Sequence, residues 1–173
     1  LADDYILGPN VLIMEFKELI ARRQSCRSFD PSRGVEDEKL MACIEASKLA
    51  PSAVNDQPYD IWVLKDDKAK EMFGTLSGFN KFVKDCERLG EPGGSGIDYH
   101  AQDVGDCIAY FTLQAEELGL ATCILGGFDP EQTKVVLGTD AHLEIVIAVG
   151  YATPGYEVRK KVRKPVSENV HFL

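Results

Sequence analysis

The sequence predicts an α+β domain with a central mixed or antiparallel sheet flanked by helices, and three observations support this class. Helical and strand-like hydrophobic periods intermix along the chain without forming regular strand–helix–strand units. Hydrophobic residues make up 45% and charged residues 27% of the 173 residues, a balance that suits a buried core. No apolar run approaches the roughly 20 residues that a membrane span requires. We expect one domain over residues 14–173 and treat residues 1–13 as an extension or an expression remnant.

The first half of the chain is predicted to form two helices, a strand and a third helix. Residues 14–22 place apolar side chains at helical spacing. Acids fill the first turn of the second helix, within residues 34–52, where they favour the helix dipole, and Pro51 ends it. Residues 59–66 alternate in polarity and are rich in β-formers, which predicts a strand. Residues 68–83 are predicted to be mostly helical.

The second half contains the clearest helix of the chain, over residues 103–121. Its apolar residues fall on one stripe, which is typical of an amphipathic helix. Residues 122–125 and 143–152 are apolar and predict buried strands, and residues 130–138 between them predict a short helix. The final segment, residues 153–173, is basic and ends in apolar side chains that favour burial.

Charge is distributed unevenly along a chain whose formal net charge is −9. This excess of acid argues against nucleic-acid or anionic-membrane partners. Nevertheless, residues 22–27 hold three arginines and no acid, and residues 158–164 hold five lysines and arginines. Crowded cations repel one another unless an anion lies between them, and the arginine fork suits phosphate. The two segments predict a phosphate monoester site, with a solvated surface of ordinary ion pairs as the alternative.

Two further segments could bind a ligand. Ser52, Asn55 and Gln57 lie in a proline-bounded loop before a strand, where amide side chains could read the edge of a heterocycle. The alternative is a plain turn, which these residue types also favour. Gly126 and Gly127 separate a strand from a helix and would let a ligand lie against the backbone. A tight strand–helix turn is the alternative there.

The cysteines and histidines give no support to a metal site. The five cysteines are scattered without a C-x-x-C pair, and the three histidines lie far apart in the sequence. This pattern favours a reducing, cytoplasmic compartment over a disulfide-rich secreted protein.

Four segments, taken in order, resemble the FMN-dependent nitroreductase family of NAD(P)H-dependent flavin oxidoreductases. They are "RQSCR" (23–27), "APSAVNDQP" (50–58), "AEELGLATCILGGF" (115–128) and "RKPVSENVHF" (163–172). The resemblance implies an intertwined homodimer that binds FMN at its interface, with residues 153–173 as an arm toward the partner. It implies neither nucleic acid nor membrane as a partner.

The resemblance also implies the cofactor-binding residues. The phosphate end would be held by Arg23, Gln24, Ser25, Arg27, Lys161 and Arg163. The flavin ring would meet Ser52, Asn55 and Gln57 (partly across the dimer interface), Asn80, and the backbone amides of Gly126 and Gly127. No side chain is implied as a catalytic acid, base or nucleophile, and no metal is implied. Arg22 falls outside the matched positions and is expected to be ordinary surface.

The implied activity is ping-pong oxidoreduction. Hydride would pass from NAD(P)H through flavin N5 to a nitroaromatic, a quinone or a similar acceptor. Two alternatives remain open: a non-catalytic FMN-binding or storage protein, and specialised flavin chemistry such as reductive dehalogenation or fragmentation of the flavin.

The chain departs from the family pattern in one place. The family carries a hydrophobic strand beginning Ala-Pro before the long helix, whereas this chain has "DCERLGEPGGSGIDYH" over residues 85–100. No strand pattern fits that segment. We therefore expect either that one strand of the family is absent after residue 84 or that the sequence omits residues there.

Overall fold

A computed structural model describes residues 14–64, 80–85, 99–126 and 130–173. The helices are α1 (Phe16–Arg22), α2 (Asp37–Lys48), α3 (His100–Glu117), α4 (Pro130–Leu137) and α5 (Val166–Asn169), with a short 3₁₀ turn at Ala53–Asn55. The strands are β1 (Asp60–Leu64), β2 (Asn80–Asp85), β3 (Ala121–Leu125) and β4 (Leu143–Gly150). Helices beside one small sheet confirm the α+β class. None of these helices combines the length and apolar character needed to cross a bilayer.

The four strands form one antiparallel sheet in the order β1-β2-β4-β3. β4 pairs with β2 on one side and with β3 on the other, and the side chains of Val146, Ile147, Ala148 and Val149 are all buried. A strand covered on both faces has no solvent-facing side, which explains its continuous apolar run.

The helix predicted over residues 68–83 is wrong at its C-terminal end. Residues 80–85 form β2, which pairs with β1 along one edge and with β4 along the other. Because two neighbouring strands satisfy its backbone N–H and C=O groups, tertiary pairing overrides the local helical pattern. The rest of that predicted helix, residues 65–79, lies outside the described residues, as do residues 1–13. The strand expected to be absent after residue 84 concerns residues 86–98, which also lie outside them.

The core lies mainly between the sheet and the pair of helices α2 and α3. Along α3 the predicted apolar stripe is confirmed, since Val104, Ile108, Phe111 and Ala115 are buried. They pack with residues of α2 and with Ile147 and Val149 of β4. The opposite face of the sheet is covered by Cys26 and Phe29, which pack on Cys123 and Ala148.

The segment after α1 runs alongside the sheet, and this course positions the arginine run. Ser25 forms a parallel bridge with Thr122 of β3, and the amide of Cys26 donates to the carbonyl of Thr122 at 2.8 Å. Phe29 forms an antiparallel bridge with Ala152, just after β4. Residues 23–29 therefore lie beside the chain that leaves β4 toward the C-terminal basic segment.

Hydrogen bonds of Tyr151, the residue after β4, connect the start of α2 to the end of β4. The Tyr151 hydroxyl donates to Glu36 Oε2 at 2.6 Å and accepts from Lys39 Nζ at 2.7 Å. The guanidinium carbon of Arg33 lies 3.5 Å from the centroid of the Tyr151 ring. The ring is 6% exposed, so the hydroxyl bonds are made at the edge of the core.

We expect Tyr151→Phe to lower the free energy of unfolding by about 1–2 kcal/mol at neutral pH. The hydroxyl bond lowers the pKa of Glu36. Its contribution is therefore present above the ordinary glutamate pKa and is lost as the pH falls through the folded-state pKa. Urea unfolding at neutral and acid pH measures both effects. Tyr110→Phe, at an exposed position of α3, is the matched control and should change stability little; equal losses in the two variants would contradict the assignment.

Candidate functional site

The two basic segments line one pocket of about 300 Å³, here called the cationic pocket. Its lining residues are Arg23, Gln24, Ser25, Arg159, Lys160, Lys161, Val162 and Arg163. Residues more than 130 positions apart in the sequence are thus neighbours in the fold. Five of the six residues that the sequence assigns to a phosphate end lie in this lining.

Hydrogen bonds hold the two segments together. The backbone amide of Arg159 donates to Gln24 Oε1 at 3.1 Å, and its guanidinium donates to the carbonyl of Ser25 at 3.5 Å. The Tyr156 hydroxyl donates to the same carbonyl at 3.4 Å, and Lys161 Nζ donates to the carbonyl of Ile20. The cationic side chains of Arg159 and Lys161 thus donate to backbone carbonyls of the first segment, and among the described residues neither forms an ion pair with an acid.

Arg23 is the half-buried cation of the pocket. Among the residues that the structure describes, its Nε and Nη2 atoms are buried and have no hydrogen-bond partner. Burial lowers the pKa of Arg23, and burial together with the nearby Arg163 and Arg23 lowers the pKa of Lys161. Buried donors without acceptors are unfavourable in a folded protein. An anion with several acceptor oxygens would satisfy both donors, so the pocket fits a phosphate group.

Arg27 is placed differently from Arg23. Its side chain is exposed and is not part of the pocket lining. Within one copy of the chain, the pocket thus receives two of the three arginines that the resemblance assigns to it, Arg23 and Arg163.

The loop of Ser52, Asn55 and Gln57 is tied to the start of α3. Both carboxylate oxygens of Asp103 accept from the amide of Ala53 at 3.1 Å. The Gln57 amide donates to Ser52 Oγ at 3.1 Å, and Gln57 Nε2 donates to the carbonyl of Asn55 at 3.4 Å. Asp103 is an anchor that the sequence reasoning missed. The sequence feature that could have identified Asp103 is a carboxylate directly beside the apolar stripe of the long helix.

The same loop is strained. Val54, Asn55 and Gln57 have φ values of 49°, 60° and 50°, in the left-handed region that non-glycine residues rarely adopt. Each such residue costs on the order of 1–3 kcal/mol, most for a β-branched side chain such as Val54. Val54 is also 87% exposed. A strained loop that presents apolar and amide groups to solvent fits a ligand-binding or partner-binding role better than a plain turn.

The remaining predicted residues lie at strand ends. Asn80 is the first residue of β2 and pairs in register with Val149 of β4. Gly126 follows β3, is exposed, and a Cβ there would meet nothing within 4 Å. The backbone at Gly126 therefore faces open space, as a ligand lying against it would require. Gly127 lies outside the described residues.

The strained loop and the cationic pocket lie at opposite ends of α3. Asp103, which anchors the loop, is in the first turn, whereas Glu116 is in the last turn and pairs with Arg22 at 3.2 Å. At 1.5 Å per residue, these two positions are about 20 Å apart along the helix axis. In one copy of the chain the two parts of the predicted site are therefore well separated.

Comparison with known proteins identifies one family. The model of the nitroreductase family matches residues 20–92 and 82–151. The oxygen-insensitive NADPH nitroreductase of Helicobacter acinonychis is 24% identical over 91% of this chain and 96% of its own length. YdgI of Bacillus subtilis is 33% identical over 67 residues, which are 39% of this chain and about a third of YdgI.

A solved structure shows the same fold. A protein from Exiguobacterium sibiricum, crystallised in complex with FMN, superimposes with a TM-score of 0.77 at 19% identity, covering 93% of this chain and 98% of that one. At this identity the likeness speaks to the fold alone. The matched family model, in contrast, spans most of the chain, and it includes the arginine run, the strained loop and the sheet. The chain belongs to the nitroreductase family.

Proposed function

We propose that this chain is an FMN-dependent oxidoreductase that passes hydride from NAD(P)H to a nitroaromatic, a quinone or a similar acceptor in a ping-pong cycle. Family membership supplies the reaction class and the cofactor. The observation that carries the proposal is the cationic pocket, which both basic segments line and in which Arg23 has two buried donors without a hydrogen-bond partner among the described residues.

In this proposal the pocket holds the cofactor phosphate. Arg23, Lys161 and Arg163 supply the positive charge, and Ser25 supplies polar groups beside them. Gln24 acts indirectly, because its side-chain oxygen is occupied by the amide of Arg159 and so fixes the C-terminal segment in place. Charge-assisted bonds from a guanidinium and an ammonium to a dianionic phosphate are the strong contacts of such a site.

The chain's own share of the chemistry is binding and orientation. FMN, when bound, supplies the hydride-accepting and hydride-donating centre at its N5 atom. The open backbone at Gly126 offers a surface for the ring, and the positive charge of the pocket favours a more negative, reduced cofactor. None of these roles needs a side chain that exchanges protons with the substrate.

We infer that the functional unit is a homodimer. Asp103, which anchors the strained loop, lies about 20 Å along α3 from Glu116 at the helix end that contacts the arginine run, so the loop is better placed to complete the site of a second copy. The arm supports the same inference, because Val166, Val170 and Phe172 are 66%, 43% and 92% exposed in the isolated chain. Apolar side chains exposed together mark an interaction surface.

The described cysteines are compatible with a reducing compartment. Cys26, Cys43, Cys107 and Cys123 are buried and form no disulfide, and burial raises the pKa of Cys43 to about 12. The Cys43 thiol therefore stays protonated and is a poor nucleophile, and burial shields all four thiols from a substrate. We therefore propose the cytoplasm as the location of the protein and assign no catalytic part to these four cysteines.

The proposal is tested by the absorbance spectrum and turnover of the purified protein. We expect flavin bands, flavin retention in the protein fraction, and steady oxidation of NADH or NADPH with menadione or a nitrofuran. A colourless protein that takes up no added FMN would contradict the proposal. Bound flavin that neither nucleotide reduces would favour a storage protein instead.

A further inference from the structure

Glu116, in the last turn of α3, places a carboxylate near the cationic pocket. Its side chain is 16% exposed, and its Oε1 accepts from Arg22 Nε at 3.2 Å. The carboxylate also acts on the pocket cations: burial lowers the pKa of Arg23 and of Lys161, and Glu116 opposes that effect on both. Glu116 therefore interacts electrostatically with Arg23 and Lys161, two of the residues proposed to hold the phosphate.

A second cavity lies between Glu116 and the cationic pocket's Gln24. This cavity, of about 160 Å³, is lined by Glu116 and Arg22 and shares Gln24 with the cationic pocket. The Arg22–Glu116 pair thus lies in a neighbouring cavity that meets the cationic pocket at Gln24, and neither residue lines the cationic pocket itself. Arg22 also lies 3.9 Å from Glu18 of its own helix, so its guanidinium is held between two acids.

We propose that Glu116 is the internal counter-charge of the cationic pocket, and that Arg22, by pairing with Glu116, sets how tightly the pocket holds the cofactor phosphate. This inference rests on the proposed function and deepens it. A dianionic phosphate and the Glu116 carboxylate attract the same two cations, Arg23 and Lys161. When Arg22 neutralises more of the Glu116 charge, Arg23 and Lys161 attract the phosphate more strongly.

The test compares four full-length variants by titration with FMN and with riboflavin, which lacks the phosphate. Glu116→Gln keeps an oxygen that can accept from Arg22 but removes the charge, so the FMN dissociation constant should fall about fivefold. Arg22→Gln leaves Glu116 unneutralised and should raise that constant by about the same factor. The double variant should return close to the wild-type value, and riboflavin affinity should stay constant throughout.

Glu117→Gln is the matched control. Its carboxylate lies next to Glu116 in the sequence but accepts from Gln114 Nε2 at 2.8 Å, and it does not line either cavity. The same charge is removed from the same helix turn, and FMN affinity should not change. Raising the salt concentration should shrink the differences between variants, because the effect is electrostatic.

Two results would overturn the inference: FMN affinity that is unchanged or weaker in Glu116→Gln, or a change that riboflavin shows equally. Inorganic phosphate serves as a second probe, and its dissociation constants should rank the variants in the same order as those of FMN. A wild-type chain that binds phosphate but not FMN would refute the proposed function. The phosphate affinities of the variants would then test the role of Glu116. A chain that binds neither would overturn both.

Discussion

Replacing both Arg23 and Lys161 with glutamine is expected to weaken FMN binding by at least about a hundredfold. Each hydrogen bond to a charged group contributes about 1.5–3 kcal/mol, and the two side chains flank the same phosphate in the proposed complex. Removing two such contacts gives roughly 3–6 kcal/mol, which is a factor of 10² or more. Equilibrium titration with FMN measures the loss, and the purified variant should lack flavin colour.

A charge-matched control separates this effect from a general change in net charge. Lys17 and Lys48 are exposed on α1 and α2 and are not among the residues that line the pocket. Lys17→Gln combined with Lys48→Gln should leave FMN affinity within about twofold of wild type, since exposed charges outside the pocket are screened by water and salt. Full flavin occupancy in the Arg23/Lys161 variant would refute the phosphate assignment.

The Arg27→Gln variant tests whether Arg27 binds the phosphate, as the resemblance implies, or lies outside the pocket, as it does in one copy of the chain. The resemblance gives Arg27 and Arg23 the same role, whereas in one copy Arg27 is exposed and outside the pocket. A loss comparable to that of Arg23→Gln would mean that Arg27 reaches the phosphate only in the assembled dimer.

Phe172→Asp is expected to weaken the proposed dimer by about 10²-fold or more. The ring is 92% exposed in the isolated chain. Burying a phenylalanine contributes about 1.5–3 kcal/mol, and a two-fold symmetric dimer makes each such contact twice. Introducing a carboxylate adds a desolvation penalty at the same place. Analytical ultracentrifugation over a range of protein concentrations measures the shift from dimer to monomer.

Val135→Asp controls for adding a charge to an exposed apolar position. Val135 is 82% exposed on α4 and is not part of the arm. That variant should sediment as the wild type does. If the Phe172→Asp variant and the wild type have the same dimer dissociation constant, the arm does not contribute to the interface. A wild-type chain that is monomeric would refute the proposed homodimer.

Local patterns were sufficient for much of the fold. The apolar stripe of α3 is read directly from spacing, because only one helical face can be buried against a sheet. β4 is likewise recognisable, since the part of a strand that is covered on both faces is apolar, as Val146, Ile147, Ala148 and Val149 are. β2 was not recognisable, because it is held by its neighbours β1 and β4 and its own sequence does not alternate in a strand-like way.

The sequence by itself determined the composition of the site: a cation-rich pair of segments in an acidic chain, with a phosphate as the expected ligand. It could not decide which cations meet, because separation along the chain says nothing about separation in space. Only the tertiary structure placed Arg23 inside the pocket and Arg27 outside it, and set Glu116 and Arg22 in a neighbouring cavity. The physical reason is that Coulomb interactions and buried hydrogen bonds act over a few ångströms, and folding alone fixes which groups come that close.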